Sequence, residues 1–554
     1  MKGQPHVMST VSEVVAVAVA SLTDDVFAIM GNGNAYLLDA LGRTSVRVTA
    51  LRHEAATVAS ADAYHRVSGR LAVATTTYGP GYTNTITSLA EAAKAETPLV
   101  LVVGDAPTTG PRPWDVDQPG LAAAVGVPTF VVDRAAPGRT VVEAAFHALA
   151  HRVPVVVALP YDLGNVPADD DAVPALPALP TPPSPAQEAV EEAARLLSAA
   201  ERPLILAGRG AKGAASEVRR LADQLGALTV TSAPARGLFA GRPYDLGVCG
   251  GFASEPSADL VRHADVVLAV GAGLNQFTTS FGSAFGPDAH VVQIDVSAAP
   301  TNPRVDRHLR GDSRVAVLEL LRVLEGHEPP ARPWGGAAAH ASDSRLQHAR
   351  PEGDGVAADG RLDPRSVMGR LNTLLPANRV VVSDGGHFIG WANTYLDLPS
   401  ADSITLVGTA FQAIGLGFPS APGVAVARPD ALTVMVTGDG GGLMGLADLD
   451  TLVRTARSAL VLVFNDAAYG AEIHQYGSRG LDRTAMLIDE VDFATVARGM
   501  GAAGARVDRL EDLRAVEEWL AAGAQGTFLA DLRVSQTVVA PYIVEIVERS
   551  LVKK

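Results

Sequence analysis

The sequence lacks several features that particular classes of protein require. It has one cysteine, Cys249, in 554 residues, so no disulfide can form within the chain and a cysteine metal cluster is excluded. The formal net charge is −15, and no segment gathers Lys and Arg into a basic stripe. We therefore expect no nucleic-acid partner.

The apolar run nearest the N-terminus, residues 14–20, is too short to cross a bilayer. Residues 21–25 give no convincing signal-peptide cleavage pattern. We interpret the run as the buried side of a first helix, and we expect a cytoplasmic protein with no membrane partner.

What the chain does have is length and apolar content. Hydrophobic residues make up 47% of it, which at 554 residues is enough for about three domains. Residues 166–184 hold repeated prolines and three aspartates, and residues 327–360 are rich in Pro, Gly, Ala and His, as is typical of linkers. The sequence therefore predicts domains over residues 1–165, 186–326 and 361–540.

Each predicted domain alternates short apolar runs with helical patterns, which indicates the α/β class. We expect three doubly wound parallel-sheet domains. The predicted strands include residues 98–103, 153–159, 203–207, 264–270, 290–294, 379–383, 432–437 and 460–464.

One βαβ unit in the last third carries the strongest chemical signal. Residues 432–437 and 459–464 are predicted strands, and residues 446–456 have helical spacing between them. Residues 438–442 are mostly glycine, and we expect them to be irregular rather than helix or strand.

Two acids follow the two strands of this unit, Asp439 directly and Asp466 27 positions later. Parallel strands end on the same edge of a sheet, so both carboxylates should lie close together beside a glycine-rich helix N-terminus. Such a terminus offers N–H groups to phosphate, and the acids offer oxygen ligands to a divalent cation. A metal–diphosphate site is the interpretation, although an ordinary α/β turn stays open on these residues alone.

The first domain contains an acid at a predicted helix start. Glu54 follows the strand-like residues 46–49 and opens the helical stretch 54–66, whose neighbours are mostly Ala and Val. We expect apolar surroundings for its carboxylate. The competing interpretation is an acid that interacts favourably with the helix dipole. Two glycine turns flank it in sequence, Gly31-Asn32-Gly33 and Gly79-Pro80-Gly81.

Taken in order, these motifs resemble the thiamine-diphosphate-dependent enzymes of the acetolactate synthase, pyruvate decarboxylase and benzoylformate decarboxylase group. The resemblance spans nearly the whole chain. It implies that the first domain binds the cofactor's pyrimidine ring and the last domain its diphosphate. It also implies that each cofactor lies between two subunits, so a homodimer is the smallest functional unit and a homotetramer is an alternative.

The resemblance assigns roles residue by residue. Glu54 matches the glutamate that hydrogen-bonds the pyrimidine nitrogen, where a desolvated carboxyl with a raised pKa can share its proton. Asp439, Asp466 and the Ala468 carbonyl match the ligands of Mg²⁺. The implied cofactor contacts are Gly386, His387, the Gln412 carbonyl, Ile414, Gly438, Gly440, Gly441 and Tyr469. Ile414 matches the residue that bends the cofactor, although core packing is the simpler interpretation without the resemblance.

Several departures limit how far the reaction can be named. Asp466 stands where most relatives have asparagine. Trp114-Asp115 stands where acetolactate synthases have Gln-Glu, although Gln118 nearby could supply an amide, and the paired histidines of pyruvate decarboxylases are missing from this segment. Asn32 occupies the turn position where pyruvate decarboxylases have an aspartate and benzoylformate decarboxylase has a serine. It could contact substrate, or it is a turn asparagine that tolerates left-handed geometry.

Three more residues are catalytic candidates. Glu472 matches the catalytic glutamate of the decarboxylases, with a solvated helix-face acid as the alternative. His387 and His474 are candidate proton carriers, because neutral imidazole can act near pH 7.

The sequence thus predicts an enzyme that uses thiamine diphosphate and Mg²⁺. It should release CO₂ from a small 2-oxo acid and transfer the acyl unit to an aldehyde or ketone acceptor, as acetolactate synthases do. Simple decarboxylation is the nearest alternative. A flavin-containing, pyruvate oxidase-like enzyme with FAD in the central domain is not favoured, because residues 271–276 match a nucleotide-binding motif too loosely. An ADP-like activator in that domain is not favoured for the same reason. A non-catalytic scaffold is also not favoured.

Overall fold

The computed structural model describes residues 9–329, 334 and 351–552, so part of the second predicted linker lies outside the described residues. The described residues form three six-stranded sheets in which every strand pair is parallel. Helices flank each sheet, as short βα repeats require, because a parallel crossover carries a helix over one face.

The first sheet has the strand order β2-β1-β3-β4-β6-β5. Its strands are β1 (Asp25–Ala28), β2 (Arg47–Ala50), β3 (Ala72–Thr76), β4 (Leu99–Asp105), β5 (Thr129–Val131) and β6 (Pro154–Pro160). Its helices are Val11–Leu22, Ala35–Leu41, Glu54–Ser68, Pro80–Thr83, Ile86–Lys94, Gln118–Ala124 and Pro137–His151. The first of these helices buries most of the run 14–20, as predicted, although Val17 is exposed.

The second sheet has the order β12-β11-β10-β7-β8-β9. Its strands are β7 (Pro203–Ala207), β8 (Leu228–Thr231), β9 (Asp245–Val248), β10 (Val266–Val270), β11 (His290–Asp295) and β12 (Arg307–Arg310). Its helices are Gln187–Ala199, Ala215–Leu225, Glu255–Arg262 and Ser313–Val323.

The third sheet has the order β14-β13-β15-β16-β18-β17. Its strands are β13 (Arg379–Ser383), β14 (Ile404–Leu406), β15 (Leu432–Gly438), β16 (Ser458–Phe464), β17 (Ala503–Val507) and β18 (Gly526–Leu532). Its helices are Pro364–Leu374, Ile389–Tyr395, Gly417–Ala427, Asp439–Gly445, Leu449–Thr455, Gly470–Gln475, Phe493–Gly499, Arg514–Ala521 and Pro541–Val552.

In all three sheets the chain winds outward in both directions from an internal strand, so the predicted doubly wound class is confirmed. The predicted strands agree with the observed ones to within two residues at their ends. They are near-continuous apolar runs because both faces of each sheet are covered.

The first and third sheets are joined by close helix packing. The helix Glu54–Ser68 lies against the helix Gly417–Ala427, and the Ser60 hydroxyl donates to the Pro419 carbonyl at 2.6 Å. A Cβ on Gly423 would lie 1.9 Å from the Ser60 carbonyl oxygen, so only glycine permits this approach. The helix that begins with Glu54 is therefore fixed to the third sheet.

Candidate active site

Three acids meet at the carboxyl edge of the third sheet. Asp384 follows β13, Asp439 follows β15, and Asp466 lies two residues after β16. The strands β15 and β16 pair in register, with Gly438 opposite Phe464, which brings the last two acids together as predicted. The chain changes direction between β13 and β15, and this is where ligands bind in doubly wound sheets.

Asp439 has a carboxylate that the surrounding protein satisfies only in part. Its Oδ1 atom accepts from the Gly440 amide at 2.8 Å, whereas its buried Oδ2 atom has no hydrogen-bond partner. Burial raises the pKa of Asp439 to about 6. An unsatisfied buried carboxylate oxygen is costly, and a bound cation would offset that cost.

Asp466 is the second buried carboxylate. Burial, followed by the nearby negative charge of Asp439, raises the pKa of Asp466 well above its ordinary value. Ala467 then adopts a left-handed φ of 56°, which is strained for a residue with a Cβ. Around this turn the Ile488 amide donates to the Ala467 carbonyl and the Tyr469 amide donates to Met486.

Neither of those two bonds uses the Ala468 carbonyl, which lines the same cavity as both acids. Two mutually repelling buried carboxylates, one unpartnered oxygen and a carbonyl form an all-oxygen donor set of the kind that Mg²⁺ binds. Within the described ranges no group of three or more His, Cys, Asp or Glu side chains is arranged to hold a metal. The remaining ligands of a cation here would come from a bound phosphate or water.

The glycines around Asp439 form regular structure, so the expected irregular segment 438–442 is wrong. Gly438 ends β15, and Asp439–Gly445 is a helix. The helix packs too closely for side chains: a Cβ on Gly440 would lie 2.6 Å from Tyr469 Cε1, and one on Gly441 would lie 3.0 Å from Asp384 Oδ2. The glycines are needed for close approach, and the first turn keeps free N–H groups for an anion.

Asp384 is an important residue that the sequence analysis did not single out. Its fully buried carboxylate accepts from the amides of Gly385 at 2.8 Å, Gly415 at 3.1 Å and Leu416 at 3.3 Å, and from the Thr437 hydroxyl at 3.3 Å. Burial raises the pKa of Asp384 to about 6. The sequence could have indicated Asp384, because it directly follows the strand β13 as Asp439 directly follows β15.

His387 lies in the same cavity, but as a fixed neutral ring. Its Nε2 atom accepts from the Ala540 amide at 2.9 Å, and its ring lies 4.6 Å from that of His474. Burial, followed by His474, lowers the pKa of His387 to about 3. Burial also lowers the pKa of His474. Burial thus favours the neutral form of both rings, and their role as proton carriers stays a prediction.

The other candidates of the third domain divide between two clefts. The cavity that holds the acids is lined by Gly386, His387, Ile414, Gly438, Gly440, Gly441, Tyr469 and Glu472. Ile414 is 40% exposed, so it is not a core residue, and its side chain is available to a ligand. Gln412, with a left-handed φ of 65°, instead lines the neighbouring cleft between the three sheets.

Glu54 begins its helix as predicted, but its expected apolar surroundings are not found within one protomer. The side chain is partly exposed and accepts from Asn84 Nδ2 at 2.9 Å. Gly81 lies beside it, and a Cβ on Gly81 would be 3.6 Å from Glu54 Cγ, an ordinary van der Waals contact. Because Glu54 is the first residue of its helix and lies at the edge of the sheet, one side of its side chain stays in solvent.

Asn32 and Gln118 also lie at the edge of the first sheet. Asn32 is exposed, begins a 3-10 turn and donates to the Tyr78 hydroxyl at 3.1 Å, so it is not a left-handed turn residue. Gln118 is buried: its carbonyl accepts from the Gly79 amide at 2.7 Å, and its amide donates to the Gly104 carbonyl at 2.9 Å. Both ends of the Gln118 side chain therefore bond to the backbone of the Gly79 turn and of β4, and a contact with substrate stays a prediction.

Within one protomer, then, the structure gathers the candidates of the third domain other than Gln412 and His474 around one cavity, and leaves Glu54, Asn32 and Gln118 outside it. The described helices include none that combines the length and apolar content needed to span a membrane.

Comparison with protein families shows to which family this chain belongs. The model of the thiamine pyrophosphate enzyme N-terminal TPP binding domain matches residues 8–120. The central-domain model matches residues 190–321, and the C-terminal TPP binding domain model matches residues 384–530. The chain belongs to the thiamine pyrophosphate enzyme family. It is an enzyme that depends on thiamine diphosphate, as the resemblance implied.

The enzyme is similar to curated relatives along most of its length. It is 28% identical to a sulfoacetaldehyde acetyltransferase of Castellaniella defragrans, over 89% of this chain and 87% of that protein. It is 28% identical to a pyruvate oxidase of Lactiplantibacillus plantarum, over 92% and 86%. It is 26% identical to the acetolactate synthase isozyme 2 large subunit of Escherichia coli, over 92% and 93%.

Proposed function

We propose that the enzyme decarboxylates a small 2-oxo acid and transfers the acyl unit to an aldehyde or ketone acceptor, using thiamine diphosphate and Mg²⁺. The observation that carries this proposal is the buried Asp439–Asp466 pair with its unpartnered Oδ2 atom in a glycine-lined cavity. Relatives named acetolactate synthase and sulfoacetaldehyde acetyltransferase support acyl transfer as the outcome.

Different groups at the carboxyl edge of the third sheet would bind the metal ion and the phosphates of the cofactor. Asp439, Asp466 and the Ala468 carbonyl would hold Mg²⁺, which removes the repulsion between the two carboxylates. The N–H groups of the helix Asp439–Gly445 would bind phosphate oxygens. The bound cofactor supplies an electron sink for the carbon that loses CO₂.

Glu54 would hold a proton at the pyrimidine nitrogen of the cofactor. In the protomer it lies outside the cavity of Asp439, so a second subunit must bring the two half-sites together. We propose a homodimer as the minimum active species and a cytoplasmic location. The exposed apolar residues Met30, Trp114, Ile414, Met444, Tyr476 and Leu487 are consistent with a further subunit surface.

A second candidate function is simple decarboxylation of the 2-oxo acid. Glu472 is exposed and lines the same cavity as the metal-binding acids, where it could deliver a proton to the carbon that loses CO₂. A flavin enzyme is a weaker candidate that rests on the pyruvate oxidase relative. Flavin absorbance in purified protein would favour it.

The reaction is tested with a panel of small 2-oxo acids, each supplied with and without aldehyde or ketone acceptors, including sulfoacetaldehyde. CO₂ and new carbon–carbon products are measured separately. Acyl transfer predicts that an acceptor is incorporated into product. Release of CO₂ with only an aldehyde as product, whatever acceptor is present, would replace it with simple decarboxylation.

The cofactor site is tested with Asp439→Asn and a matched control, Asp430→Asn. Asp430 is an exposed acid of the same domain that pairs with Arg457 at 3.4 Å. Calorimetry should show that only the Asp439 variant loses Mg²⁺-dependent binding of thiamine diphosphate. Binding by that variant at wild-type affinity would remove the proposed metal site.

A further inference from the structure

The loop of residues 408–415 carries two of the implied cofactor contacts, Gln412 and Ile414, yet it has no strand partner. It follows β14 and is closed by two internal hydrogen bonds, from the Ala413 amide to the Gly408 carbonyl at 2.8 Å and from Gln412 Nε2 to the Thr409 carbonyl at 2.9 Å. At its far end the Gly415 amide donates to Asp384 at 3.1 Å. Gln412 keeps a left-handed φ of 65° in the middle of the loop, which requires the surrounding contacts to hold it.

The contacts at the near end come from the first sheet's helices. Arg66 Nη1 donates to the Leu406 carbonyl at 2.8 Å, and Glu91 Oε2 accepts from the Phe411 amide at 2.7 Å. Arg66 and Glu91 are themselves paired, with Nη2 2.9 Å from Oε1. The same ion pair therefore bonds to the carbonyl of Leu406, the last residue of β14, and to the amide of the residue before Gln412.

This Arg66–Glu91 pair is buried and closely packed. Glu91 is 1% exposed, and Arg66 is held from its other side by Asp62, 2.6 Å away. Hydrogen bonds from charged groups in such surroundings are stronger than neutral ones, and removing one partner leaves the other buried and unpaired. Asp62 and Arg66 also lie on the helix that begins with Glu54.

We propose that Glu91 is a positioning residue for the cofactor: through the Phe411 amide, it fixes the loop that presents Gln412 and Ile414. That the loop binds the cofactor rests on the proposed function. That Glu91 holds the loop does not depend on it. Glu91 itself lies outside the cavity of Asp439 and acts only through the backbone of the loop.

Hydrogen–deuterium exchange of the protein without added cofactor tests the positioning directly. In Glu91→Ala, peptides that cover residues 407–416 should exchange about tenfold to hundredfold faster, since a charge-assisted hydrogen bond is lost. Glu91→Gln keeps an acceptor for the Phe411 amide and should restore much of the protection. Glu217→Ala is the matched control, because Glu217 is also buried and paired with an arginine, Arg314, but lies in the central domain.

Calorimetry with thiamine diphosphate and Mg²⁺ gives the second readout. The dissociation constant should rise about tenfold or more in Glu91→Ala, less in Glu91→Gln and not in Glu217→Ala. Should Glu91→Ala fail to fold, Phe411→Pro removes the amide donor, and Phe411→Ala controls for the lost side chain, which is 45% exposed. The same loop-specific exchange is expected in Phe411→Pro but not in Phe411→Ala.

Unchanged exchange of residues 407–416 in a folded Glu91→Ala protein would overturn the proposal. Equally faster exchange across all peptides, without rescue by Glu91→Gln, would also overturn it and leave Glu91 as a general stabilising contact. A wild-type protein that binds no thiamine diphosphate would refute the proposed function, and the exchange measurement would still decide whether Glu91 holds the loop.

Discussion

The Nε2 atom of His387 accepts a hydrogen bond from the Ala540 amide at 2.9 Å, across 153 positions of sequence. A ring nitrogen that accepts an N–H bond carries no proton, so the neutral ring must carry its proton on Nδ1. The Tyr542 hydroxyl adds a bond to the Gly386 carbonyl at 2.8 Å. Ala540 and the first turn of the last helix thus fix the orientation and the tautomer of His387.

The first prediction concerns the loss of this acceptor. His387→Phe should leave the Ala540 amide buried without a partner and lower the free energy of unfolding by about 1–3 kcal/mol. His387→Gln can present an oxygen and should recover part of that loss. Urea unfolding measures both, with the exposed His263→Phe as control. If His387→Phe matched the wild type, the hydrogen bond would contribute no net stability.

The second prediction concerns pH. The pKa of His387 is about 3 in the folded protein, against an ordinary value of 6.5. Between these values the unfolded chain binds more protons, so the contribution of His387 to stability is complete above about pH 6.5 and is lost as the pH falls toward 3. The stability advantage of wild type over His387→Gln should therefore be larger at pH 7.5 than at pH 5 in urea unfolding. An advantage that grew at pH 5 would contradict the neutral buried ring.

The third prediction concerns the buried acid pair. Asp466→Asn removes one of two repelling carboxylates and keeps a side-chain oxygen for a cation. Without cofactor or metal, the variant should be more stable at pH 7.5 by about 1 kcal/mol or more, because one pKa unit corresponds to about 1.4 kcal/mol. Thermal unfolding in the presence of a chelator measures it, with Asp430→Asn as control. Destabilisation under these conditions would show that the two charges do not oppose each other.

The fourth prediction concerns Glu54. Glu54→Gln keeps the size of the side chain and its bond to Asn84, but cannot hold a transferable proton. It should lose most turnover, about a hundredfold or more, while thiamine diphosphate still binds. Steady-state rates and calorimetry test the two halves of this expectation, and the exposed Glu143→Gln is the control. Full activity would remove the proposed proton role.

Local pattern predicted much of the site. Apolar runs bounded by glycine predicted the strands β15 and β16, and the rule that parallel strands end together placed Asp439 beside Asp466. The same rule would have found Asp384 after β13. Patterns of this kind are local, because the period of a strand and the position of its last residue depend only on the neighbouring sequence.

Other features required contacts between distant residues. No sequence period indicates that residues 438–442 fold as strand end and helix, and the need for glycine at position 440 comes from the close approach of Tyr469. Only the structure shows that both ends of the Gln118 side chain bond to the backbone of Gly79 and Gly104. These outcomes depend on packing and on which hydrogen-bond partners burial leaves available.

The amino-acid order by itself determined the class of fold, the edge of the sheet at which chemistry occurs and the acids that stand there. Only the tertiary structure decided which polar atoms remain free: Asp439 Oδ2 is unpartnered, His387 is locked by Ala540, and Glu91 holds the loop before Gln412. The physical reason is that the periodicity of neighbouring residues specifies a strand or a helix. Whether a buried polar group has a hydrogen-bond partner depends instead on residues that are distant in sequence.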